Sequence, residues 1–151
     1  MPKIKLCLAC SPGGHLLQMM ELRSIYKKYP HFFLTFKRKM TEDLTREEKV
    51  VFIEDTERSP LRLLKNTIQS FSVFLRERPN VIIANGGGFT TPFCYIAKLF
   101  RRRIIFIESF SRVDHPSISG RVLHPISDLF IVQWKPLMKY YKKAVYGGSI
   151  F

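Results

Sequence analysis

The apolar residues of this chain come in short, nearly unbroken runs, and that feature limits its fold more than any other. Six of them stand out, KIKLCLAC, HFFLTF, VVFIED, VIIAN, RIIFIES and DLFIVQW, the first starting at Lys3 and the last ending at Trp134. Runs this short, with few polar interruptions, mark parallel strands covered on both faces. Between them the spacing becomes helical. Leu16, Met20 and Tyr26 follow the first run, and Leu61, Leu64, Ile68, Phe71 and Leu75 recur at three- and four-residue steps across residues 61–76. Residues 90–100 and 136–143 continue the alternation. Strand, helix, strand, repeated, predicts an α/β fold: a Rossmann-like parallel sheet flanked by helices and wound with right-handed crossovers. At 151 residues the chain is expected to form one domain, residues 1–151.

Ligands of such sheets collect at the carboxyl ends of the strands, so the loops after Cys10, Asn85, Ser109 and Trp134 are the places to look. After the first run, Gly13 and Gly14 allow a tight turn and leave backbone N–H groups bare, and a helix opening near His15 aims its positive end at the same point. This is an anion site, most naturally for phosphate. His15 reads either as a proton acceptor or phosphate donor, or as a capping or core histidine. NGGGFTTP repeats the device with Gly86, Gly87 and Gly88, followed by Thr90 and Thr91 as helix caps and Pro92 in the first turn. IESFSRVDHP ends a strand on Glu108, a carboxylate that must find either a ligand or an ion pair, for which Arg112 is the nearest choice.

The charge balance narrows the partner. Lys and Arg number 25 against 12 Asp and Glu, a net charge of +13, which calls for something anionic. Nucleic acid is set aside, because neither a groove-reading module nor a set of base-stacking aromatics is visible. Basic residues mixed with apolar ones at 98–103 and 135–143 fit an anionic membrane surface. No apolar segment approaches the roughly 20 residues of a spanning helix, and no signal peptide is evident, so the expected location is cytoplasmic with peripheral membrane contact. Cys7, Cys10 and Cys94 read as buried thiols, and no metal site is expected.

SPGGHLLQMMEL, NGGGFTTP, IESFSRV, SGRVLHPISDLFIVQW and AVYGGSIF, taken in order from Leu6 to Phe151, resemble the acceptor-side subunit of split glycosyltransferases. That family contains the membrane-side partner of the N-acetylglucosaminyltransferase of asparagine-linked glycosylation and bacterial capsule or exopolysaccharide counterparts. More distantly, the glycine loops are similar to those of MurG-type N-terminal domains.

The resemblance implies a fold equivalent to the N-terminal half of a GT-B glycosyltransferase. It also implies a second, donor-binding polypeptide that holds the nucleotide-sugar, a UDP-sugar, so that this chain needs no cofactor or metal of its own. The acceptor would be a polyprenyl-diphosphate-linked sugar. Gly13, Gly14, Gly86, Gly87, Gly88 and Thr90, with His15, would hold its diphosphate, and His15 or Glu108 would act as base. Asn85 and Arg112 would orient the acceptor. Eukaryotic members usually begin with a transmembrane anchor and this chain is expected to have none, which favours a bacterial origin and a peripheral site on the inner face of the plasma membrane. The family also includes non-catalytic enhancers that stabilise and localise a catalytic partner.

Overall fold

The computed structural model describes residues 3–151. Seven parallel strands form one sheet in the order β3-β2-β1-β4-β5-β6-β7. They are β1 Leu6–Cys10, β2 His31–Thr35, β3 Val50–Phe52, β4 Val81–Asn85, β5 Arg103–Ile107, β6 Leu129–Val132 and β7 Ala144–Tyr146. Each run predicted as a strand forms one, VIIAN over its whole length and the others shortened at one or both ends. β7 was not foreseen; residues 136–143, expected to be helical, give only a short 3-10 turn at Lys135–Lys139 before it. Pro136 in that turn has no N–H to offer a longer ladder.

The helices are α1 Gly14–Glu21, α2 Arg23–Tyr26, α3 Lys39–Leu44, α4 Pro60–Glu77, α5 Thr91–Leu99 and α6 Ile118–Leu123. The sheet divides the core in two. Cys7, Phe32, Ile82, Ile104 and Phe106 face α4 and α5, while Leu8, Cys10, Phe33 and Ile83 face α1. Cys7 and Cys10 thus point to opposite faces, as a strand requires. All three thiols are free and buried, and burial pushes that of Cys94 up to about 12.

Two features of the layout matter most. First, β1 and β4 are neighbours, Cys10 opposite Asn85, although a helix-strand excursion separates them in sequence. Chain winding reverses there, so both glycine loops leave the sheet side by side at its switch point. Second, α4 is turned the wrong way round. A surface helix ordinarily faces its apolar stripe to the core, yet here Leu61, Leu64, Ile68, Phe71 and Leu75 are exposed and Asn66, Ser70, Val73, Phe74 and Glu77 are buried. The inward polar groups are satisfied: Asn66 donates to the carbonyls of Glu54 and Phe89 (2.6 and 3.0 Å) and accepts from the Ser70 hydroxyl (3.1 Å).

Candidate functional site

The cleft lies where the loops after β1, β3, β4 and β5 meet, and has a volume of about 380 Å³. His15 lines it just after the turn at Gly13, whose φ of 90° lies in the left-handed region open to glycine. That turn starts α1 with no side-chain cap and no acid in its first turn. The leading N–H groups of a helix have no partners within it, and here no side chain takes that place.

His15 stands beside this helix mouth and is held from behind. The Asn85 amide donates to the Ile107 carbonyl (3.2 Å), which fixes which way the amide faces and turns its oxygen towards His15 Nδ1, 2.7 Å away. A carboxamide oxygen only accepts, so Nδ1 carries a proton, and in the neutral ring the lone pair belongs to Nε2. The ring rests on Gly86. Any Cβ there would collide with the imidazole, which makes a glycine at this position a condition for the histidine's placement. His15 also forms a partition, since on its other side lies a second hollow of about 290 Å³ bounded by Gln18, Phe110 and Phe151.

Behind His15 is a buried amide network. Gln18 Oε1 accepts from the Phe110 N–H (2.9 Å) and from Gln133 Nε2 (2.8 Å), and Gln133 also donates to the Glu108 carbonyl (3.0 Å). The sequence held a signal for both residues: each is a lone glutamine in an otherwise apolar stretch, and a buried polar group needs partners.

Across the cleft lies a wall that the sequence reading missed, formed by Asp55, Thr56, Glu57 and Arg58 after β3. Glu57 and Arg58 take positive φ values of 39° and 57°, uncommon for residues with side chains and typical of strained functional loops. Glu57 is held by Arg62 (2.8 Å) and Asp55 lies 4.0 Å from Arg38, whereas Arg58 enters no ion pair among the described residues. Arg112, from the loop after β5, lines the cleft as well and is exposed. Arg58, Arg112 and the helix mouth therefore give the cleft donors suited to an anion with more than one charge centre.

Gly13, Gly14, His15, Gly86, Gly87, Gly88 and Arg112 all gather at this end of the sheet. Three other expectations need correction. Thr90 is fully buried and donates to the Gly87 carbonyl (2.8 Å), so its hydroxyl braces the loop and does not reach the cleft, nor does it cap α5. Asn85 is also buried and serves His15; it has no path to an acceptor hydroxyl.

Glu108 is the third. It is fully buried and accepts from Tyr141 Oη (2.7 Å) and from the N–H groups of Ser109 (3.0 Å) and Ser117 (3.2 Å), with no ion pair to Arg112. A base must touch the proton it removes. Glu108 has no such access and instead ties α6 and the segment before β7 to the end of β5. Burial, and then the bond to Glu108, push the Tyr141 phenol well above its usual range. No cluster of three metal-ligating side chains occurs among the described residues.

Residues 52–150 match the family described as "Oligosaccharide biosynthesis protein Alg14 like". The UDP-N-acetylglucosamine transferase subunit ALG14 of Candida albicans is 41% identical over 97 residues, covering 58% of this chain and 44% of that protein. The subunit of the same name from Yarrowia lipolytica is 29% identical, covering 97% of this chain and 81% of its own. The chain spans less than half the length of the first such relatives. Among solved structures, Acinetobacter baumannii MurG aligns with a TM-score of 0.72 at 13% identity, over 89% of this chain and 43% of that one. The UDP-N-acetylglucosamine 2-epimerase of Rickettsia bellii aligns at 0.78 and 14% identity, over 98% and 45%. The fold is the Rossmann-like half of a GT-B enzyme.

Proposed function

The chain belongs to the family of Alg14-like oligosaccharide biosynthesis proteins, and from that premise we propose that it is the acceptor-side subunit of a two-component glycosyltransferase. It binds a polyprenyl-diphosphate-linked sugar, and a second polypeptide supplies the UDP-sugar. The names of its relatives support N-acetylglucosamine as the sugar moved. They give no support to capsule or exopolysaccharide as the destination. Basic charge and the cleft chemistry favour work at the inner face of a membrane, and no helix among the described residues is long and apolar enough to cross one.

One observation carries the reading: an imidazole with its acceptor nitrogen set by Asn85, at the mouth of an uncapped helix between two glycine loops. The diphosphate takes the helix-mouth and glycine-loop N–H groups, with Arg58 and Arg112 closing on it. The acceptor hydroxyl then lies against His15. As its oxygen bonds to the anomeric carbon of the donor, the bond to the UDP oxygen breaks, the electron pair leaves with UDP, and the hydroxyl proton passes to Nε2. Attack from the face opposite UDP inverts the anomeric centre.

The test is reconstitution with a donor-binding partner, sought first in the neighbouring gene, and assay with radiolabelled UDP-N-acetylglucosamine and a polyprenyl-diphosphate sugar. Transfer should need both polypeptides, and His15→Ala should lower turnover about 100-fold or more while leaving the complex intact. Full turnover by the variant would make the chain a non-catalytic scaffold.

A further inference from the structure

The outward stripe of α4 is the largest feature the proposed function leaves unused. At 100° per residue, Leu61, Leu64, Ile68, Phe71 and Leu75 fall within one narrow sector directly opposite the buried residues. Their exposure is too high for ordinary surface residues of a lone domain: 80% for Leu61, 64% for Ile68 and 46% for Phe71. The patch continues onto the end of α5, where the Phe100 ring lies 6.4 Å from that of Phe71 and Leu99 is 82% exposed. A contiguous apolar surface of this kind marks an interaction site.

We propose that this face of α4, with Leu99 and Phe100, is a membrane-docking surface on which the helix lies flat in the interface of an anionic lipid bilayer. Three observations choose lipid over protein. First, basic charge is in excess: α4 carries Arg62, Lys65 and Arg76, which pair with Glu57, Glu54 and Glu77, while Arg78 after the helix and Arg101 and Arg102 after Phe100 enter no ion pair among the described residues. The sole acid on α4, Glu77, is turned inward against Lys5 and Lys49. Second, the apolar face and its basic flank run from Leu61 to Arg76, nearly the whole of the 18-residue helix and about 24 Å, the form of an in-plane amphipathic anchor. Third, the stripe begins at the cleft. Arg58 lines the cleft, and Pro60 and Leu63 border a hollow that shares Thr56 and Arg58 with it, so a lipid whose diphosphate sits in the cleft has apolar ground for its chain within one helical turn. This last point rests on the proposed acceptor; the other two stand without it.

The test is flotation of the protein alone with phosphatidylcholine vesicles, with and without phosphatidylglycerol, in the absence of glycolipid and partner. Binding should require the anionic lipid and weaken with salt. Leu64→Ser/Ile68→Ser/Phe71→Ser should lower partitioning at least about tenfold, and Arg78→Gln/Arg101→Gln should lower it by about tenfold or more. All these side chains are exposed, so the melting temperature serves as the check on folding. Ile68→Trp gives an independent reading, with a blue shift of its fluorescence on anionic vesicles expected. Wild type that stays in solution, or a tryptophan whose emission does not move, overturns the proposal. So does a triple-serine variant that binds vesicles normally but loses its partner polypeptide, which would make the face a protein interface. Vesicle binding that persists where reconstituted transfer fails would sink the proposed function and leave this surface standing.

Discussion

At the residue scale, the site turns on which nitrogen of His15 carries a proton. Asn85 decides it through one 2.7 Å hydrogen bond, so Asn85→Ala should leave the ring in place on Gly86 but free to mix tautomers. Side-chain 15N shifts of labelled histidine should show a single Nδ1–H species in wild type and averaged shifts in the variant, and turnover should fall about tenfold or more with KM nearly unchanged. An unchanged spectrum would break the link. Glu108 yields a second prediction. Glu108→Ala leaves a buried phenol and two buried N–H groups without acceptors and should cost about 3–5 kcal/mol in chemical denaturation, whereas Glu108→Gln, which keeps one acceptor oxygen, should cost about half that. The glycines and His15 were legible in sequence because a helix-mouth anion site has few residue choices. Asn85, Thr90 and Glu108 were misjudged for a shared physical reason. A polar residue at the end of a strand can serve the loop backbone as readily as a ligand, and spacing does not record which way it turns.

At the element scale, Glu77 is the main electrostatic tie at the amino ends of the strands. Lys5 before β1 and Lys49 before β3 each reach it at 2.7 Å, joining the end of α4 to the sheet. Burial pushes its carboxyl up, but the hydrogen bonds from Lys49 and Lys5 more than reverse this and hold it at about 2 against an ordinary 4.5. Because the folded value is the lower one, the tie is complete above about pH 4.5 and is lost as pH falls towards 2. Its full worth is about 3 kcal/mol by linkage. Denaturation midpoints of wild type and Glu77→Gln should therefore differ at pH 7 and converge towards pH 2; a gap independent of pH would refute the assignment. The strands were legible because burial on both faces leaves an apolar run. The three-residue β7 and the short α3 and α6 carry too little pattern to register. The range of α4 could be read to within a residue or two, but not its facing: periodicity locates a stripe and is silent about whether core or lipid lies against it.

At the scale of the whole molecule, the question is how a net charge of +13 divides between general attraction and specific contact. Beyond Arg78 the only acids are Glu108, Asp114 and Asp128; Glu108 is buried and Asp128 is taken up by Lys98 and Arg103. The carboxyl-terminal half thus presents an almost unopposed positive field around a cleft that holds only two arginines of its own. These contributions separate by range. Exposed charges more than a Debye length away, about 8 Å at physiological ionic strength, steer an anion at low salt and lose that influence as salt rises, while contacts inside the cleft persist. Lys142 and Lys143 are exposed and do not line the cleft, so Lys142→Gln/Lys143→Gln should slow pyrophosphate association in dilute buffer and have no effect at physiological salt. Arg58→Ala/Arg112→Ala should weaken binding at both, about tenfold or more, chiefly through faster release. Stopped-flow titration across salt concentrations distinguishes the two. If the cleft variant behaved like the distant one, pyrophosphate would be held by the field of the whole surface, and the meeting of two glycine loops at the switch point would have no binding role.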